Sequence, residues 1–78
     1  MKIKDIKECE TYLESVGFSN YDKYPKLWTL DLNQESTADV ILHNSYYGVI
    51  ELYTKGSLMQ SKTFDNLDEL RDYLENGY

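Results

Sequence analysis

The run Tyr47-Gly48-Val49-Ile50-Glu51-Leu52-Tyr53-Thr54-Lys55-Gly56-Ser57-Leu58-Met59-Gln60-Ser61-Lys62-Thr63-Phe64 decides how this chain folds. On either side of Lys55-Gly56, β-branched, aromatic and Leu residues take alternate positions, the period of a strand with one covered face. Two such runs separated by two residues, the second a glycine able to adopt positive φ, spell an antiparallel hairpin. Strands are therefore expected over Tyr47 to Thr54 and Ser57 to Phe64.

Upstream, the same alternation marks Lys26 to Leu32 and Ala38 to His43, separated by the polar stretches Asn33 to Thr37 and Asn44-Ser45. Short polar breaks favour pairing of consecutive strands, so the four runs should form an antiparallel meander. Ser19 to Pro25 reads as a loop, since Pro25 disfavours helix for Tyr24.

Both ends of the chain carry helical spacing instead. Ile6, Cys9, Leu13 and Val16 recur at three, four and three residues, and Asp5 with Glu8 matches the capping pattern at a helix start. Gly17 should end this helix in a Schellman motif, with Phe18 folded back onto Leu13. After Phe64, Asn66 and Glu69 offer a second capping pair. Leu67, Leu70 and Leu74 then fall within about 60° of one another on a helical wheel. The expected fold is α+β: a four-stranded antiparallel meander with an N-terminal and a C-terminal helix packed on one face, residues 1–78 forming one domain.

In that arrangement Trp28, Leu30, Leu32, Val40, Leu42, Ile50, Leu52 and Leu58 meet the helices. Thr29, Asp31, Ile41, His43, Tyr47, Val49, Glu51, Tyr53 and Met59 occupy the opposite face. That second set holds more apolar area than a fully solvated sheet face requires.

Composition narrows function by exclusion. The chain has 78 residues, net charge −6 and one cysteine. A domain this small buries only about 60% of its unfolded surface, which leaves little room for a deep enclosed active site. A lone cysteine forms no intramolecular disulfide and no cysteine-based metal cage, and an intracellular, cytoplasmic setting is expected. No apolar run reaches the length of a signal peptide's core or a membrane span. Direct nucleic-acid binding is disfavoured, because eight scattered cations face fourteen carboxylates.

No catalytic, metal or cofactor signature occurs. His43 is the sole histidine and has no second ligand or nucleophile near it in sequence. Cys9 lies on the apolar stripe of the first helix, where a free thiol packs as a small hydrophobe. Asp65, Asn66 and Asp68 lack the glycine and full spacing of a calcium loop. The chain reads as non-enzymatic.

The strongest functional pointer is the last fourteen residues. Asp65, Asp68, Glu69, Asp72 and Glu75 against Arg71, five anions to one cation, account for −4 of the net −6. Asp65, Asp68, Asp72 and Glu75 recur at i, i+3, i+7 and i+10, roughly 5 Å apart along a helix axis, comparable to phosphate spacing on a nucleic-acid strand. The expected partner is a protein with a basic surface, including one that ordinarily binds nucleic acid, and the class-level analogy is with small acidic inhibitors encoded by phages and mobile elements. Tyr73 on the helix and Tyr47 and Tyr53 on the free sheet face are the candidate aromatic contacts. The alternative is a self-associating accessory subunit, a homodimer joined through the tyrosine-bearing sheet face.

Overall fold

The computed structural model describes residues 3–43 and 48–76. Its elements run α1 (Ile3–Ser15), β1 (Ser19–Tyr21), β2 (Tyr24–Asp31), β3 (Ser36–Leu42), β4 (Gly48–Thr54), β5 (Ser57–Phe64) and α2 (Leu67–Asn76). The strands form one sheet in the order β1-β2-β3-β4-β5, every neighbouring pair antiparallel. The α+β class, the meander and the two helices follow the sequence; the strand count does not, being five rather than four.

The added strand is β1, within the stretch expected to be a loop. Tyr21 pairs with Tyr24 across Asp22-Lys23, and the register then jumps so that Asn20 faces Trp28. Pro25 lies in the part of β2 that β1 skips, so its missing N–H costs no β1–β2 ladder bond. Asn20 Nδ2 donates to the Leu27 carbonyl at 3.1 Å and satisfies an acceptor in the skipped stretch.

Helix α1 already includes Ile3, two residues before the expected start, so Asp5 lies within the helix instead of at its cap. Its far end matches the Schellman geometry. Gly17 has φ 102°, Phe18 N donates to the Leu13 carbonyl at 2.9 Å and Gly17 N to that of Glu14 at 3.1 Å. Val16 sits in this turn and is 41% exposed, so it leaves the apolar stripe on which periodicity placed it. At the β4–β5 turn both Lys55 (φ 53°) and Gly56 (φ 79°) are left-handed, the conformation of a two-residue type I′ hairpin.

One cluster forms the core: Cys9 and Leu13 from α1, Phe18, Trp28, Ala38, Val40, Leu42, Ile50 and Phe64 from the sheet side, and Leu70 from α2. Cross-strand register explains the set. Trp28 pairs with Val40 and Val40 with Ile50, a continuous row beneath the helices. Gly48 pairs with Phe64, and a Cβ built on Gly48 would strike the Phe64 ring at Cζ and Cε2. The glycine is therefore what lets the aromatic lie flat in the core.

Two residues expected under the helices lie elsewhere. Leu32 is 38% exposed because the chain leaves the sheet after Asp31, into a turn where Asn33 Oδ1 accepts from Glu35 N and Ser36 N at 2.9 and 3.0 Å. Leu58 is 52% exposed. A register shift pairs it with Tyr53, and this bulge turns it onto the open face. No helix of the described residues is long and apolar enough to cross a membrane.

Candidate protein-docking site

Helix α2 is short, and local chemistry starts it. Asn66 is the N-cap: its Oδ1 accepts from Glu69 N at 2.9 Å, and its carbonyl receives the first helical bond, from Leu70 N at 3.2 Å. Glu69 reaches back past the cap, its Oε2 accepting from Asp65 N at 3.3 Å. Asp68 and Glu69 in the first turn also suit the positive end of the helix dipole. Asp65 itself lies before the cap, off the helix.

Leu70 is fully buried, with Leu67, Tyr73 and Leu74 packed at the core's margin. Burying Leu70 contributes about 2 kcal/mol. This one-sided anchoring turns Asp68 and Asp72 outward, and both are exposed. Arg71 Nη1 lies 3.8 Å from Asp68 Oδ1, with those side chains 45% and 93% exposed. So exposed and long a pair is worth a few tenths of a kcal/mol at most. Asp72 Oδ1 accepts from Asn76 Nδ2 at 2.7 Å, which orients the carboxylate without removing its charge.

Other candidate residues have work within the fold. Glu75 Oε1 accepts from the Tyr12 hydroxyl at 3.3 Å, and the Arg71 guanidinium lies 5.4 Å from the centroid of the same tyrosine ring. Burial first, then the charge of Glu75 and the hydrogen bond to it, push the Tyr12 phenol above its ordinary value, while Arg71 pulls the other way. Tyr73 lies under Lys62, whose Nζ is 5.0 Å from the ring centroid. Lys62 thus meets an aromatic face of α2 at the core margin. Tyr12 and Arg71 also wall a shallow groove of about 390 Å³ between the helices, together with Lys7 and Leu67.

The open sheet face has its own geometry. Leu27, Ile41, Val49 and Thr63 form one cross-strand row; Thr29, Asp39, Glu51 and Ser61 the next; Asp31, Thr37, Tyr53 and Leu58 the third. Asp39 and Glu51 are direct cross-strand partners, both half-buried. The Tyr53 hydroxyl donates to Glu51 Oε1 at 3.3 Å. Partial burial, then Glu51 by its charge and as acceptor, then Asp39, push the Tyr53 phenol upward. Tyr53 was singled out from sequence. Asp39 was not, although alternation along Ala38 to His43 places it on the face with Ile41 and His43.

Tyr47 lies outside the described residues. Tyr21 and Tyr24, assigned to a loop by sequence, stack on each other across the β1–β2 turn with centroids 5.6 Å apart and planes 11° from parallel. Cys9 is fully buried. His43 is half-buried just beyond β3. Among the described residues no group of three or more His, Cys, Asp and Glu side chains is placed to hold a metal ion.

No protein-family model matches the chain, and neither a curated protein nor a solved structure matches it significantly.

Proposed function

We propose that this chain is a non-enzymatic binding protein whose acidic α2 edge docks on a positively charged protein surface, of the kind that otherwise holds nucleic-acid phosphates. One observation carries the proposal. The leucines of α2 face the core while Asp68 and Asp72 stand in solvent, opposed among the described residues only by a long, exposed contact between Asp68 and Arg71. Charge held this way accelerates encounter with a cationic patch and costs little to bring together with it, since Asp68 and Asp72 engage Arg71 and Asn76 of their own helix at its exposed surface.

Asp68 and Asp72 are the primary contacts. Asp65 and Glu69 add field from the capped first turn, and Glu75 adds field from the last. Affinity beyond exposed charge has to come from desolvated contacts nearby, and the groove beside Tyr12 and Arg71 is the adjacent surface able to supply them. Inhibition by imitation of a phosphate backbone is the specific form proposed.

The test is retention of lysate proteins on the immobilised chain, eluted along a sodium chloride gradient with and without competing duplex DNA. Retained proteins should be basic, leave at moderate salt and be displaced by DNA. Retention insensitive to both salt and DNA would refute phosphate imitation.

A further inference from the structure

The open sheet face places two carboxylates opposite each other on adjacent strands, and no ion pair among the described residues offsets them. Asp39 on β3 and Glu51 on β4 are direct partners, an arrangement that puts their Cβ atoms about 5 Å apart and is destabilising in itself. None of the residues in the three rows is Lys or Arg. On one side of the acidic pair, one row away at roughly 7 Å, lie half-buried Leu27, Ile41 and Val49; on the other lie Tyr53 and the bulged Leu58. Met59, the extra residue of the bulge, is 65% exposed beside them.

We propose that this face docks a partner protein through an arginine flanked by apolar side chains, the guanidinium bridging Asp39 and Glu51. The planar guanidinium fork can donate to two carboxylates at once, which a lysine ammonium does less well. Tyr53, held by its hydroxyl to Glu51, offers its ring to the same cation. The apolar rows receive the flanking side chains and exclude water from the ion pairs, where exposed pairs would be worth little. A second copy of this chain fits worse. Asp39 lies on the central strand of the five, so a two-fold axis through the middle of the sheet would press Asp39 and Glu51 against their own copies. Edge-to-edge pairing is also hindered, since β5 carries a bulge and Lys62. The site lies across the sheet from α2 and does not depend on the helix binding anything.

The probe is the blocked tripeptide Leu-Arg-Leu, titrated against the isotopically labelled chain by NMR, beside Leu-Lys-Leu and Leu-citrulline-Leu. The arginine peptide should shift the Ile41 and Val49 methyls and the Asp39 and Glu51 carboxyl carbons saturably. Its affinity should exceed that of the lysine peptide, and the citrulline peptide should give no saturable shift. Combining Asp39→Asn with Glu51→Gln should weaken arginine-peptide binding by about tenfold or more, the scale of a lost charge-assisted contact, while Asp68→Lys with Asp72→Lys leaves those shifts in place. Shifts centred on α2, equal response to all three peptides, or no saturation would overturn the proposal. So would sheet-face shifts that appear on concentrating the chain alone, which would assign the face to a second copy.

Discussion

Tyr12 of α1 donates its hydroxyl proton to Glu75 of α2 across 63 residues of sequence, and this contact separates Glu75 from the other acids of its helix. Asp68 and Asp72 can be changed without touching another element; Glu75 cannot. Glu75→Ala and Tyr12→Phe should each cost about 0.5 kcal/mol, at the low end for a hydrogen bond to a charged group because the contact is long and exposed. The double variant should cost little more than either single one, as a urea-denaturation cycle would show.

Raised phenol values give a pH signature. Tyrosine in the unfolded chain ionises near pH 10, whereas Tyr12 and Tyr53 hold their protons higher in the folded state. Above that pH the folded state binds more protons than the unfolded one, so their contribution is complete below about pH 10 and is lost as pH rises. Urea midpoints from pH 8 to 11 should fall more steeply for the natural chain than for Tyr12→Phe combined with Tyr53→Phe. Equal slopes would remove these phenols from the alkaline transition.

Asn66 and Gly48 are local determinants that carry large effects. Asn66→Ala removes the side-chain acceptor for Glu69 N and should cost about 1 kcal/mol, read as a lower thermal midpoint with reduced helical signal. Gly48→Ala drives a Cβ into the Phe64 ring and should cost about 1–3 kcal/mol, the range of an overpacked core. Pairing Gly48→Ala with Phe64→Leu should recover part of that loss.

Repulsion between Asp39 and Glu51 predicts a gain instead. Asp39→Asn should raise stability by about 0.5 kcal/mol in low salt, with the gain shrinking as salt screens the pair. A loss of stability would mean that Asp39 is needed by the fold itself.

How much was legible follows from how local each signal is. Gly17, Asn66 and Lys55-Gly56 act within a few residues of themselves, and both the helix ends and the β4–β5 hairpin lie where they indicate. Strand β1 has no such signal: Ser19, Asn20 and Tyr21 are all exposed, so no hydrophobic alternation announces them, and they are strand only because β2 lies alongside. Leu58 left its expected face through a one-residue bulge that nothing in the local pattern marks. Period alone places Asp68 and Asp72 on the exposed edge of α2, but it gave neither Asp65's position ahead of the cap nor the Tyr12 bond to Glu75. The Asp39–Glu51 contact required the register of two strands, which alternation within each strand leaves open.

The most direct test of the acidic edge compares three chains in the immobilised-chain retention experiment: the natural sequence, Asp68→Lys with Asp72→Lys, and Glu14→Lys with Glu35→Lys. Both double variants carry net charge −2, four units from the natural −6, and all four positions are exposed. Only the helix-edge variant should lose basic proteins from the column, with its fold retained by circular dichroism and its melting midpoint lowered by only a few degrees for the lost first-turn carboxylate and the Asn76 bond, while the Glu14 and Glu35 variant retains them at slightly lower salt. Equal loss from both variants would show that net charge alone draws partners and would contradict a docking role for α2.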